Sequence, residues 1–406
     1  MVRIPRVATA LCFPAILAAC EAAPVGNVTG ALIELSESAI QVLGSSDSLA
    51  VVRDLDIAGD GSVWVLNSAE PLFVGFAPDG QPLGAYGQGG RGPREFPMPA
   101  GFLSGGWQGE VWVLDLVRHA MIRVSQPDGD WAEIPLRSAS LPPGTVRGGM
   151  SMLNSNVRSA RLGGEFIVPR TGETMEAGLL NYRFSLLRPD LIAVAPEARE
   201  ARSLVALAEV LDDPAGDFIP SDGGFPMWYR LWAPCGENIV RVYDRVRNQL
   251  RGFDGSGAEV LPIELPPVPF TEVTARQFAK AVFPIRQAEL TGDVWSRLSE
   301  QDSIRVLNRM AQSVQGRPHE LASYLPRYVD LRCSPDGTMW LNSVDLDAGG
   351  LEGARLWLRI TPDGTIREVR LPERFDALRF LDSRVWGVYR DEFDVPSVAS
   401  IALPIS

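Results

Sequence analysis

The feature that most constrains this chain is a phrase of short apolar runs punctuated by tight turns, first met between Gly59 and Phe96. It reads Gly59-Asp60-Gly61, Val63-Trp64-Val65-Leu66-Asn67, Leu72-Phe73-Val74-Gly75-Phe76, Pro78-Asp79-Gly80 and Leu83-Gly84-Ala85-Tyr86, then a loop at Gly89-Gly90-Arg91-Gly92-Pro93. Asp-Gly turns joining runs of four or five apolar residues predict an antiparallel meander. Both parities of Val63 to Leu66 are apolar, which predicts a strand covered on both faces.

The phrase returns. Its second strand recurs as Val111-Trp112-Val113-Leu114, Phe166-Ile167-Val168, Ile239-Val240-Arg241-Val242, Met339-Trp340-Leu341 and Val385-Trp386-Gly387-Val388, making six copies. A short turn precedes each copy. Turns such as Pro127-Asp128-Gly129, Asp254-Gly255 and Pro362-Asp363-Gly364 close the third strand. Self-similarity at this spacing predicts a radial repeat, and four short strands per unit predict a β-propeller. The fold expected is therefore all-β, a six-bladed β-propeller of four-stranded antiparallel blades over residues 31–406.

These residues also carry a resemblance. The stretch Asp60-Gly61 to Tyr86, with Gly89-Gly90-Arg91-Gly92-Pro93-Arg94-Glu95-Phe96 after it, resembles the six-bladed propellers of the NHL-repeat type found in bacterial envelope lipoproteins. The last copy lacks a fourth strand, so something must cover that edge. Ala31-Leu32-Ile33-Glu34-Leu35 resembles the fourth strands of other copies and is expected to complete the last blade.

The N-terminus reads as an address. Arg3 and Arg6 precede an apolar run from Val7 to Ala19, too short to span a membrane. It ends in Leu17-Ala18-Ala19-Cys20, which resembles the lipobox of bacterial lipoproteins. That resemblance implies a signal peptide over 1–19, lipidation of Cys20, a tether over 20–30, and a location in the cell envelope, anchored on the periplasmic or cell-surface side. The membrane is then a partner through the anchor. Without the two leader arginines, 36 basic residues stand against 50 acidic, a net charge of −14. Such a balance argues against nucleic acid as a partner.

After processing two cysteines remain besides the lipidated Cys20, namely Cys235 and Cys333. Each falls near the turn between first and second strands of neighbouring copies. In an oxidising compartment a disulfide is expected, with two buried thiols as the alternative. With only His119 and His319 in the chain, a His/Cys zinc site is not expected.

If first strands run downward, the short turns lie below and the long connections above, where function usually resides. The longest connection, 271–323 between copies four and five, is expected to be a helical insertion. Thr274 with Gln277 could cap its start, and Ile304, Leu307, Met310, Ala311 and Val314 follow at helical spacing. It would either cover the mouth of the ring or pack across two blades.

The upper loops supply the candidate binding residues: Arg91, Arg94, Asp115, His119, Asp244, Arg247, Asn342 and Tyr389. Converging polar loops suit a small molecule, glycan or protein, or an oxygen-ligated divalent cation such as calcium; no other cofactor is expected. The alternative for these residues is ordinary solvated loop polarity. Gly87-Gln88-Gly89-Gly90-Arg91-Gly92 matches a dinucleotide fingerprint in form, but Pro93, Pro97 and Pro99 stand where a helix N-terminus is needed. Trp64, Trp112, Trp340 and Trp386 recur at one strand position and are expected to pack between blades rather than stack a sugar. No Gly-x-Ser-x-Gly motif supports esterase chemistry. The primary reading is a lipid-anchored, non-catalytic binding propeller. The alternative is a metal-assisted hydrolase or lyase of the gluconolactonase-like type, a fold-level analogy.

Overall fold

The computed structural model describes residues 28–49, 51–104, 106–115, 117–118, 120–125, 131–136, 159–170, 190–195, 201–205, 231–244, 247–269, 271, 273–274, 277, 327–346, 355–381 and 383–404. Those residues form an all-β, propeller-like arrangement.

Two strands precede the first meander, β1 (Ile33–Glu34) and β2 (Ile40–Ser45). The meander itself is β3 (Val52–Ile57), β4 (Val63–Asn67), β5 (Phe73–Phe76) and β6 (Pro82–Tyr86). An eight-stranded sheet follows, built from β7 (Pro99–Ser104), β8 (Trp112–Asp115), β9 (Ala120–Arg123) and β10 (Glu133–Pro135) with β11 (Ser159–Leu162), β12 (Glu165–Arg170), β13 (Asp190–Val194) and β14 (Ala201–Val205). Its two antiparallel halves join through a parallel pairing of β11 with β7. Next comes the four-stranded sheet β15 (Trp232–Cys235), β16 (Ile239–Asp244), β17 (Gln249–Asp254) and β18 (Glu259–Glu264). After it come β19 (Tyr328–Cys333), β20 (Met339–Ser343), β21 (Leu356–Ile360) and β22 (Ile366–Arg370), to which β1 adds a fifth strand. The last sheet is β23 (Phe375–Leu381), β24 (Arg384–Arg390) and β25 (Pro396–Ala402), completed by β2.

The closing strand differs from the expectation. Residues 33–34 pair in parallel with β22, whereas Ile40 to Ser45 pairs antiparallel with β25. Both segments are short and mix apolar with polar residues, so local pattern does not separate them. Close approach favours the second: Gly44 packs against Gly80, where φ is +86° and a Cβ would collide with the Leu43 carbonyl oxygen.

The cores lie between neighbouring meanders. Trp64, Leu66 and Phe73 of the first pack with Phe102, Val113 and Ile122 of the second. Trp340 stacks on Phe380 of the last sheet, ring centroids 4.5 Å apart. Leu55, Val65 and Phe76 meet Val398 from the far end of the chain. First strands are neighbours in the cyclic order β3, β7, β11, β15, β19, β23 and back to β3. The recurring tryptophans pack against these cores: Trp64, Trp112 and Trp340 are buried and Trp386 is half-buried, and the Nε1–H of Trp64 and of Trp340 each donates to a serine hydroxyl of the preceding turn, at 3.2 and 3.1 Å.

Most of the expected helical insertion lies outside the described residues, which include only Thr271, Val273, Thr274 and Gln277 of it. Here the cap belongs to Thr271, whose hydroxyl oxygen accepts the Thr274 amide at 3.1 Å, rather than to Thr274.

Candidate functional site: a central cavity at the turn end

First strands point their later residues toward the ring centre and end in short turns. Between them lies a cavity of about 740 Å³, within the range of small-molecule sites. Asp56, Ser104, Arg161, Asn238, Arg332 and Arg379 line it, one from each successive meander or its first turn.

Its most constrained part is the seam where the last meander meets the first. Arg379 Nη2 lies 3.3 Å from Asp54 Oδ2, and Nε lies 3.5 Å from Asp56 Oδ1. Asp54 is held further by the amides of Leu55 and Phe102, at 3.0 and 2.8 Å. Asp56 is less well served. Its Oδ2 accepts no hydrogen bond among the described residues, and burial pushes its carboxyl up to about 6 against the opposing pull of Arg379. One guanidinium thus serves two buried carboxylates, and the trio carries a net negative charge when all are ionised. A divalent cation does not fit there, because the guanidinium already occupies the position between the oxygens. Among the described residues no group of three or more His, Cys, Asp or Glu side chains could hold a metal.

The rim is more polar. Arg332 pairs with Asp330 at 2.9 Å, and Arg161 is exposed on the third meander. The Gly163 amide donates to the Glu237 carbonyl at 3.3 Å, tying neighbouring turns together. Cys333 lines the cavity and is bonded to Cys235, Cα atoms 5.1 Å apart.

Those of the residues proposed from sequence that are described lie at the other ends of the second strands or in the loop after β6. Asp115 is buried and closes its own loop by accepting the amides of Val117, Arg118 and Met98 at 3.0, 2.9 and 3.1 Å. Desolvation raises its pKa against those bonds. Asp244 is buried and pairs with Arg247 at 2.8 Å. Asn342 is buried one residue before the end of its strand, and Tyr389 packs against the core of the last two sheets. Arg91 and Arg94 are exposed. His119 lies outside the described residues. The Gly87 to Gly92 stretch folds onto itself: Glu95 accepts the Gly92 amide at 2.6 Å and Gln88 Nε2–H at 2.9 Å, and Arg118 Nε–H donates to the Glu95 carbonyl at 3.0 Å.

The seam residues had a sequence signal. Asp54-Leu55-Asp56 and Asp330-Leu331-Arg332 place charges at alternate positions of first strands, and Arg379 stands between Leu378 and Phe380, where apolar residues are the norm.

No family model matches the chain, and no curated protein matches it. Among solved structures it is similar to a catalytically inactive virginiamycin B lyase from Staphylococcus aureus with quinupristin, at 12% identity and TM-score 0.42, covering 90% of this chain and 99% of that one. It is also similar to a gluconolactonase from Xanthomonas campestris, at 10% identity and TM-score 0.43, covering 90% and 89%. A third is a calcium-binding regucalcin from Agrobacterium tumefaciens, at 10% identity and TM-score 0.41, covering 92% and 95%. Likenesses of this size say nothing of what this chain binds or converts.

Proposed function

We propose that this chain is a lipid-anchored, six-bladed propeller of the NHL-repeat type, resident in the cell envelope, that binds a small polar molecule in its central cavity without transforming it. The blade count is supported by the cyclic order of the first strands and by cores shared between neighbours, the last with the first. The anchor reading is supported by Leu17-Ala18-Ala19-Cys20 behind a basic, apolar leader.

One observation carries the binding reading. A cavity of about 740 Å³ gathers Asp56, Arg161, Arg332 and Arg379 from four meanders, opposite charges that suit a small polar molecule.

The test is a thermal-shift panel of polyols, sugar acids, hydroxy acids and amino acids against the mature protein. A ligand at a hundredfold its Kd adds about 2.7 kcal/mol to stability. One class should raise the midpoint of the wild type and lose most of that effect with Ser104→Trp, which fills the cavity, and with Arg161→Glu, which changes only the rim charge. No shift from any class, or a shift that survives both variants, would overturn the reading.

A further inference from the structure

We infer that the anchored protein presents its turn face, and with it the mouth of the central cavity, to the membrane surface, while the long loops face away. The inference rests on the anchor reading of Cys20 and on where Val28 and Thr29 join the sheet.

Val28 bridges Ile366 in parallel, and Thr29 donates to the Ile366 carbonyl through its amide at 2.8 Å and its hydroxyl at 3.1 Å. Ile366 is the first residue of β22, directly after the turn that Gly364 closes onto Thr361. That turn packs on its neighbour: Pro362 Cγ lies 3.5 Å from where a Cβ on Gly337 would stand. Gly337 belongs to the turn after β19, whose Ser334 and Pro335 line the cavity. The chain therefore enters the fold at the turn end of its barrel of strands, on the side where the cavity opens.

From Cys20 to Val28 there are eight residue steps, a reach of at most about 29 Å. Strands of five or six residues put the opposite face about 20 Å further on. Turning that face to the bilayer would require the tether to run along the whole side wall, using about 20 Å of its reach of at most about 29 Å. Turn face first, the tether has slack.

The same face carries its own spacing device. Asp60, Asp79, Glu237, Asp336 and Asp363 are exposed on short turns there. The Ser62 amide holds the Asp60 carboxyl below its ordinary range, and the Thr361 hydroxyl does the same for Asp363. Anionic lipid repels these charges over a Debye length of about 8 Å. The mouth is thus held near the bilayer without being pressed against it, and samples polar molecules in the aqueous layer at the membrane surface.

The test uses the full-length lipidated protein in vesicles of phosphatidylcholine and phosphatidylglycerol doped with a headgroup nitroxide lipid. One fluorophore goes on Asp79→Cys in a turn between third and fourth strands, another on Phe393→Cys, which is 78% exposed between β24 and β25 at the opposite end. The first should be quenched several-fold more strongly than the second, and raising the phosphatidylglycerol fraction at low salt should weaken quenching at both. Inserting about ten Gly/Ser residues after Ala22 should abolish the contrast. Equal or reversed quenching in protein that incorporates labelled palmitate, or a contrast that survives the longer tether, overturns the orientation and leaves the anchor standing. Failure to incorporate palmitate through Cys20 overturns both.

Discussion

Arg379 is the side chain on which the seam between the last and first meanders depends electrostatically. It faces Asp54 and Asp56 at 3.3 and 3.5 Å from inside the protein. Removing one partner of a buried ion pair leaves an uncompensated charge, so Arg379→Met should cost about 3–5 kcal/mol in urea unfolding. Asp56 gives the pH dependence. Its carboxyl ionises near 6 in the folded protein against an ordinary 3.8, so the folded state holds this proton more tightly than the unfolded chain does. The sign follows: the contribution of Asp56 is most favourable below about 4, falls as pH rises toward 6, and stays at its lower level above 6. Asp56→Asn should flatten that decline in thermal midpoints measured between pH 4 and 7, and an unchanged slope would assign it elsewhere. Residue spacing led elsewhere at Asp115 and Asp244. An aspartate followed three residues later by arginine reads as an exposed polar loop, yet the same spacing lets a buried carboxylate staple its own turn through amides.

Among elements, β2 carries the closure. Its backbone pairs along β25 from Ile40 to Ser45, and without it that edge is open to another chain. Deleting residues 21–35 removes β1, which only adds a short parallel strand to β22, and should lower the thermal midpoint modestly. Deleting 21–46 should lower it much further and promote association, seen by light scattering. Equal midpoints for the two truncations would show that β2 closes nothing. The need for a closing strand was legible in the sequence, because the last copy ends one strand short. Which segment supplies it was not. The choice turns on the fit of Gly44 and Leu43 against the Gly80 turn, a contact between residues far apart along the repeat.

At the scale of the whole molecule, the Cys235–Cys333 bond spans 98 residues and ties two neighbouring meanders at the rim of the cavity. In the chain-entropy picture a loop of that length stabilises by up to about 4.7 kcal/mol. Reductant should therefore lower the unfolding midpoint of the mature protein substantially. Denatured, unreduced protein should show no reactive thiol, and two thiols would refute the bond in the protein as made.

The repeat of turn and strand determined an all-β meander fold by itself, because a period of two and a turn every few residues are local properties that each copy states again. Burial of Trp64, Trp112 and Trp340 was legible for the same reason. The cavity was decided only by tertiary structure. Asp56, Arg161, Arg332 and Arg379 come from strands distant in sequence, and nothing in any one strand says that its neighbours bring charges to the same centre. Likewise, the polar atoms of Asp115 and Asp244 became loop staples only once their loops had folded around them, since burial and partners are properties of the assembled chain.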